Sequence, residues 1–304
     1  MNKIILFALF FFSFQSFAQD MPLSQILLED GGEWELVADG FGSTDAACVD
    51  SEGNFYFSDV KNGNTINMVN STGKVTVYAK DLEKISGMQF GPNGILYACQ
   101  GGSYKRILKI DKSGKVSVHA ENITPNDLVT THKGWVYVTE TKTRKIVAIS
   151  PKGEVQRFDT KAIRPNGISL STDQSTLTVS DHGGDKVYAY KIEADGKLTN
   201  EQAYMYLRTR APLSIAKGDG MATDAYCRYY VTSDVGIQMF DPTGRMGGVI
   251  LNPWKKAVNS IVFAGPNLSY MYICAKDSIF RRKTKSEGLL FFKEPFKRKN
   301  FKKK

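Results

Sequence analysis

The stretch Asp45-Ala-Ala-Cys-Val-Asp-Ser-Glu-Gly-Asn-Phe-Tyr-Phe-Ser-Asp59 decides the fold class of this chain. It holds a polar residue, a short apolar run, a polar turn containing glycine, and a second apolar run. This order is typical of two consecutive strands joined by a tight turn. The same phrase occurs six times, and its copies open at Asp45, Ser86, Asn126, Asn166, Asp219 and Asn259.

The six copies follow one another at intervals of about forty residues, which is the length of one four-stranded propeller blade. The sequence therefore predicts an all-β, six-bladed β-propeller with four strands in each blade. One interval, from Asn166 to Asp219, is longer than the others. We expect the additional residues at positions 204–217, as a loop between blades four and five.

The last copy contains only three clear strands, whereas an unassigned apolar segment at residues 33–38 precedes the first copy. An open sheet edge would invite aggregation, so the ring is expected to close. The sequence predicts that residues 33–38 supply the outermost strand of blade six.

The chain divides into four predicted regions: a signal peptide at 1–18, a linker at 19–31, the propeller at 32–283 and a basic tail at 284–304. Lys3, the apolar run at 4–14 and the small residues Ser16 and Ala18 form the signal-peptide pattern, with cleavage after Ala18. An uncleaved anchor is the alternative, but the apolar run is short for one. We therefore expect a protein exported to the periplasm or secreted.

The net charge of +9 comes from the C-terminal end, because residues 281–304 contain eleven Lys or Arg and only two Glu. The rest of the chain is balanced, so net charge predicts no face for nucleic acid. A solvated, frayed tail is the preferred interpretation. A weak association with an anionic surface is the alternative, since aromatic residues accompany the cations at Phe291, Phe292, Phe296 and Phe301. The protein is expected to be a monomer.

Cysteines and histidines give no metal motif. The four cysteines lack a CxxC spacing, so disulfides and buried thiols both remain open for Cys48, Cys99, Cys227 and Cys274. The histidines share no ligand spacing and are interpreted as structural or exposed: His119, His132 and His182. Acidic residues recur after the second strand of several blades and are interpreted as turn caps: Asp59, Glu140, Asp181 and Asp234.

The six opening residues occupy equivalent places at the start of the innermost strands, so they should meet at one end of the central channel. All six are Asp, Asn or Ser, which offer oxygen donors and no positive charge. Such a set suits a hard cation such as Ca²⁺. The alternative is that each residue only caps the turn before its strand.

At these residues the chain resembles the regucalcin–gluconolactonase (senescence marker protein) family of six-bladed propellers, over nearly all of residues 32–283. The carriers are Gly53-Asn-Phe-Tyr-Phe-Ser-Asp, Thr124-Pro-Asn-Asp, Arg164-Pro-Asn-Gly-Ile, Gly218-Asp-Gly-Met and Val258-Asn-Ser-Ile-Val-Phe. The resemblance implies one divalent cation, Ca²⁺ first with Zn²⁺ or Mn²⁺ as alternatives. Its implied ligands are Asp45, in the place of a family Glu, together with Asn166, Asp219 and Asn126.

The activity that the resemblance implies is metal-assisted opening of a lactone, such as a sugar lactone, to its acid. Asp219 is then the candidate general base, while Asn126 and Asp127 contact the substrate, with Asp127 orienting the Asn126 amide. Two positions depart from the family pattern: Thr124 replaces an Arg, and Gln100 replaces an acidic residue. Two other functions remain open. One is a non-catalytic propeller that binds a ligand or partner around a structural metal, and the other is a related hydrolase of a different ester.

Overall fold

The computed structural model describes residues 22–28, 30–61 and 63–295, and in them the chain forms six four-stranded antiparallel sheets. The predicted signal peptide, and Phe296 and Phe301 of the predicted tail, lie outside these residues. The all-β, six-bladed prediction is confirmed.

In chain order the strands are β1 (Glu35–Ala38), β2 (Thr44–Val49), β3 (Phe55–Asp59), β4 (Thr65–Val69), β5 (Val75–Ala79), β6 (Ile85–Phe90), β7 (Leu96–Gln100), β8 (Arg106–Ile110), β9 (Val116–Glu121), β10 (Leu128–Thr130), β11 (Val136–Glu140), β12 (Lys145–Ile149), β13 (Val155–Asp159), β14 (Pro165–Leu170), β15 (Thr176–Asp181), β16 (Lys186–Ile192), β17 (Leu198–Tyr206), β18 (Met221–Thr223), β19 (Tyr229–Ser233), β20 (Gly236–Phe240), β21 (Met246–Ile250), β22 (Ser260–Ala264), β23 (Tyr270–Ala275) and β24 (Ser278–Lys283). Short 3₁₀ helices occupy Pro22–Gln25, Pro92–Gly94, Pro253–Lys255 and Pro266–Leu268.

Blades one to five are the consecutive sets β2–β5, β6–β9, β10–β13, β14–β17 and β18–β21. The second strand of a blade is buried on both faces, as in β3 and β11, whereas the outermost strands β5 and β13 are partly exposed. This difference arises because neighbouring blades pack face to face. Between blades one and six, for example, Phe55 stacks on Tyr272 with ring centroids 4.7 Å apart.

Blade six joins the two ends of the chain, in the order β1-β24-β23-β22. Strand β1 pairs antiparallel with β24, and Leu36 lies opposite Phe280. Arg281 Nε also donates to Glu35 Oε2 at 2.8 Å across this pair. The predicted closing strand is therefore present, although it begins at Glu35 rather than at residue 33.

The connections from the fourth strand of one blade to the first strand of the next lie on the face that we call the mouth face. Residues 207–220 and 251–259 are the two longest of these connections. The predicted insertion at 204–217 overlaps the first of them, but its beginning belongs to β17. Strands β16 and β17 are longer than their equivalents in the other blades, so part of the additional length extends this hairpin.

The opposite face is covered by the two terminal segments, 22–28 and 284–295, which the sequence assigned to a linker and a solvated tail. Leu27 bridges Thr284, and the Lys285 N–H donates to Ile26 O at 2.7 Å. Phe291 is only 7% exposed and packs among blades three and four, while its carbonyl accepts a 2.8 Å bond from Gln174 Nε2. The first twelve residues of the predicted tail are thus packed against the propeller.

A buried ion pair fastens this C-terminal segment to blade five. Arg228 Nε lies 2.6 Å from Asp224 Oδ2, and both side chains are almost fully buried. Ser286 donates to the same carboxylate oxygen at 2.7 Å and accepts from Arg228 at 3.0 Å. Because a buried charge is costly without partners, Ser286 contributes directly to the satisfaction of this pair.

Candidate metal centre at the channel mouth

The six opening residues lie at or just before the start of the innermost strands, on the mouth face. Asp45, Ser86 and Asn166 are the second residues of β2, β6 and β14, whereas Asn126, Asp219 and Asn259 precede their strands. Direct contacts join neighbours in this ring. Ser86 Oγ donates to Asn126 O at 2.7 Å, and Asn259 Nδ2 donates to Thr44 O at 3.3 Å.

A recurring hydrogen bond from one blade to the next holds the backbone of these residues. The hydroxyl or thiol near the end of a second strand donates to the carbonyl at the start of the following blade. Thr139 donates to Asn166 O at 2.6 Å, and Ser180 to Asp219 O at 2.9 Å. Cys274 closes the ring with a 3.6 Å contact to Asp45 O. The backbone positions of the candidate ligands are therefore set by interfaces between blades.

Glycine follows the opening residue in blades two, four and five because the inner strands approach very closely there. A Cβ at Gly167 would lie 2.1 Å from Asp219 O, and one at Gly220 would lie 2.6 Å from Asn259 O. Either distance is a clash, so only glycine allows this spacing. The pairs Asn166-Gly167 and Asp219-Gly220 in the sequence therefore mark the places where the inner strands lie very close together.

His182 lies between two of the predicted ligands. Its Nδ1 is 3.4 Å from Asn166 Nδ2 and 3.8 Å from Asp219 Oδ2. Burial, together with the charge of Arg164, lowers the pKa of His182, so the ring is neutral at pH 7. His182 follows β15 in a turn on the mouth face, and its contacts place it beside the candidate ligands without deciding between a structural and a functional role. No ligand spacing in the sequence marks this position.

Asp45 is turned toward its own backbone. Its Oδ1 accepts a 2.9 Å hydrogen bond from the Ala46 N–H, and Ala46 adopts a φ of 56°. The pairing of β2 with β3 shifts register between Asp45 and Cys48, so a bulge directs this carboxylate. Within the described ranges, no three His, Cys, Asp or Glu side chains are gathered closely enough to bind a metal alone.

The three partly buried carboxyl groups of Asp45, Asp127 and Asp219 influence one another in this region. Burial raises the pKa of Asp45 to about 7 and that of Asp127 to about 8. Burial also raises the pKa of Asp219 well above its usual range, and repulsion from Asp45 and Asp127 adds to the shift. Burial and mutual repulsion therefore make it costly to ionise all three carboxyl groups together.

Asn126 and Asp127 do not form the arrangement that the resemblance implied. The Asp127 Oδ1 accepts the Leu128 N–H at 2.8 Å. Among the described residues, no hydrogen bond joins this carboxylate to the Asn126 side chain. Asp127 instead lines a cavity of about 40 Å³ deeper in the channel, whose far end is closed by Leu289 and Phe291. Asn126 remains in the ring, where Ser86 holds its carbonyl.

The predicted turn caps behave as expected in three of four blades. Asp59 accepts the N–H groups of Gly42 and Ser43, and Asp181 accepts those of Ile163 and Arg164. Glu140 accepts the Thr124 N–H at 2.6 Å and thereby holds the loop before Asn126. Thr124 is the position at which the family has an Arg.

Blade five is the exception among the predicted caps. Its equivalent residue is Ser233, and Asp234 lies one position further on. Asp234 pairs with Lys217 at 3.3 Å instead of capping a turn.

Gln100, the other departure from the family pattern, also binds neighbouring loop groups. Its Nε2 donates to Glu83 O at 3.1 Å, and its Oε1 accepts from Arg106 Nε at 2.7 Å.

All four cysteines are free thiols, so of the two alternatives, disulfides and thiols, the structure has thiols.

The fold and this oxygen-rich mouth define a class of six-bladed propellers with one candidate cation site on the axis. Residues 38–277 match the family model described as the SMP-30/Gluconolactonase/LRE-like region. The chain therefore belongs to the SMP-30/gluconolactonase/LRE-like family, and the resemblance stated from the sequence is confirmed.

Individual relatives agree with this assignment. A gluconolactonase of Zymomonas mobilis is 26% identical over 229 residues, which make up 67% of this chain and 64% of that protein. This chain thus spans 64% of the length of that curated relative.

Two solved structures share the fold. A gluconolactonase from Xanthomonas campestris is 19% identical, with a TM-score of 0.73, covering 86% of this chain and 92% of its own. A calcium-binding protein, regucalcin, from Agrobacterium tumefaciens is 15% identical, with a TM-score of 0.72, and the match covers 85% of this chain and 96% of that protein's chain.

Proposed function

We propose that this protein is a divalent-metal-dependent hydrolase that opens a lactone at the mouth of the propeller channel. The observation that carries the proposal is the convergence of Asp45, Asn126, Asn166 and Asp219 on one end of the axis. Membership of the family and the gluconolactonase relative support lactones as the substrate class.

The residues present fit a hard divalent cation. Three carboxyl groups with raised pKa values lie beside two amides, and their mutual repulsion would be relieved by a positive charge between them. Asp45, Asn166 and Asp219 would hold the ion, with Asn126 as a further donor. Carboxylate and amide oxygens favour Ca²⁺, and the nearby imidazole of His182 leaves Zn²⁺ and Mn²⁺ as alternatives.

The bound ion would polarise the lactone carbonyl and stabilise the charge that develops on its oxygen. The chain's own residues would perform the remaining tasks. Asp219 is the proposed general base for the attacking water, because its carboxylate faces the mouth. His182, itself in contact with Asn166, lies 3.8 Å from the Asp219 carboxylate, and Ser180 holds the Asp219 backbone carbonyl. Asn126 would orient the substrate.

The test is hydrolysis of a panel of lactones and aryl esters by the full chain, after chelation and after re-addition of Ca²⁺, Mn²⁺, Zn²⁺ or Mg²⁺. We expect lactone hydrolysis that chelation abolishes and one cation restores. Hydrolysis of aryl esters alone would instead indicate a related esterase.

Calorimetric metal binding, measured in parallel, separates the remaining alternative. Metal binding without turnover on any substrate would favour the non-catalytic propeller and contradict the proposal.

Export is part of the proposal and has its own test. The signal-peptide pattern at residues 1–18 supports a periplasmic or secreted protein. Mass spectrometry of the protein recovered outside the cytoplasm should find Gln19 at the N-terminus. Recovery of that protein with Lys3 still present would refute cleavage after Ala18.

A further inference from the structure

A cavity of about 620 Å³ opens on the mouth face beside the candidate metal centre. Its inner end is formed by Asp219, Asn259 and His182, so it continues directly from the site. Its outer walls come from the two longest connections, 207–220 and 251–259, which flank blade five. A lactone bound at the axis would therefore extend its substituents into this cavity.

Backbone contacts hold the longer connection in place. The Ala216 N–H donates to Gly184 O at 2.9 Å, and the Asp234 N–H donates to Ala216 O at 3.0 Å. Gln238 in β20 binds both backbone groups of Arg208, accepting at 2.8 Å and donating at 2.9 Å. The two ends of the loop are thus fixed to the wall of the cavity.

Three cationic side chains, Arg210, Lys217 and Lys256, line the outer part of this cavity together with Asp234. Lys217 pairs with Asp234 at 3.3 Å, and Lys256 lies 2.6 Å from Asp277. Arg210 donates from Nη2 to the backbone carbonyl of Asp234 at 2.9 Å. Within the described part of the chain, no carboxylate lies within ion-pair distance of Arg210. A guanidinium carries five N–H donors, and Arg210, which is exposed and lines the cavity, uses one of them in this bond.

We infer that this cavity binds an anionic oxyacid group, a phosphate or a carboxylate, carried by the lactone substrate. Guanidinium groups bind both oxyanions through paired N–H donors, and the ammonium groups of Lys217 and Lys256, each already paired with a carboxylate, line the same cavity. This inference rests on the proposed lactone hydrolysis and narrows its substrate class to acidic lactones. Arg210 would be a specificity-determining residue that does not touch the reacting carbonyl.

The first test compares three lactones on the full chain: a neutral aldonolactone, the same lactone phosphorylated on its terminal hydroxyl, and one with a carboxylate there. We expect kcat/KM to be about tenfold higher for at least one acidic lactone, as one charge-assisted contact would give. The acidic lactone with the larger increase in kcat/KM would show whether the cavity binds a phosphate or a carboxylate. Equal rates on all three would overturn the inference and leave the proposed function intact.

Arg210→Gln should lower kcat/KM for the preferred acidic lactone about tenfold. It should change kcat/KM for the neutral lactone by less than about twofold. Lys152→Gln is the matched control, because Lys152 is an exposed cation in a turn on the opposite face. A similar loss in both variants, or none in Arg210→Gln, would contradict the assignment.

Binding measurements separate failure of the subsite from failure of the catalytic proposal. Titration calorimetry would compare a hexitol with its terminal phosphate and terminal carboxylate derivatives, none of which contains a lactone. Tighter binding of an acidic derivative that Arg210→Gln weakens supports the subsite even if no lactone is hydrolysed. Equal binding of all three compounds would exclude it.

Discussion

Ser180 Oγ donates a 2.9 Å hydrogen bond to the backbone carbonyl of Asp219, which begins the next blade. Ser58 occupies the equivalent place in blade one and donates a 2.8 Å hydrogen bond to the backbone carbonyl of Ile85. Ile85 is not one of the predicted metal ligands. Both serines are buried. The two bonds therefore form a natural pair in which only one supports the candidate metal centre.

Ser180→Ala should weaken metal binding, whereas Ser58→Ala should not. Each change leaves a buried carbonyl without its donor and should lower the free energy of unfolding by about 1–3 kcal/mol. Chemical unfolding and calorimetric titration with Ca²⁺ would measure the two effects separately. Equal metal affinities in the two variants would show that Asp219 needs no support from Ser180.

Alanine at Asp45, Asn166 or Asp219 should sharply reduce bound metal. Each change should also reduce the rise in Tm that added Ca²⁺ produces, because a ligand that binds only the folded state stabilises it by mass action. If the residues merely cap turns, each change should instead cost about 1 kcal/mol and leave metal content unaltered.

Asp219→Asn separates the two roles proposed for that residue. It keeps an oxygen donor and removes the base, so we expect retained metal and lost hydrolysis. Retention of both metal and hydrolysis would place the active site elsewhere.

Removal of the closing strand should destabilise the ring. A chain that begins at Gly40 lacks β1 and leaves the backbone groups of β24 unpaired, so its Tm should fall substantially. A chain that begins at Gly32 retains β1 and is the control for loss of the preceding segment. Equal Tm values for these two chains would contradict a stabilising role for the closure.

His119 should make the protein less stable in mild acid. Burial lowers its pKa to about 4, so between pH 6.5 and 4 the unfolded chain binds a proton that the folded chain does not. The free energy of unfolding therefore falls as pH decreases through this window. His119→Gln should flatten the dependence, as measured by urea unfolding at several pH values. His132→Gln is the control.

Phe291→Ala should destabilise the protein by about 3 kcal/mol, because a buried phenyl ring leaves a cavity when it is removed. Lys293→Ala changes an exposed neighbour in the same segment and should shift stability by less than about 0.5 kcal/mol. Thermal unfolding would compare them. A Phe291 variant as stable as the Lys293 variant would show that the segment contributes little.

The repeat explains why so much of the architecture could be predicted. The ring that includes Asn166 and Asp219 could be predicted because the regular spacing places the first residue of every blade at the same end of the axis, whereas the choice of these two as metal ligands came from the family resemblance. The closing strand was found because the last copy lacked its fourth strand. In both cases the prediction depends only on a pattern that repeats along the sequence, so it can be made without knowing any tertiary contact.

The features that the sequence did not predict depend on individual tertiary contacts that do not repeat from blade to blade. His182 reaches Asn166 and Asp219 from a turn, and the orientation of Asp45 follows from a bulge at Ala46. Phe291 is buried against residues more than a hundred positions away, including Gln174. Its apolar neighbours Leu289 and Leu290 were the one signal in the sequence that this segment is not solvated.

Both described ends of the chain, at residues 22–28 and 284–295, lie on the face away from the mouth. An affinity tag, a fluorophore or a solid support joined to either of these segments is therefore attached on the face away from the channel mouth. The protein could be immobilised through one of these segments and labelled in the other while the mouth still points into solution.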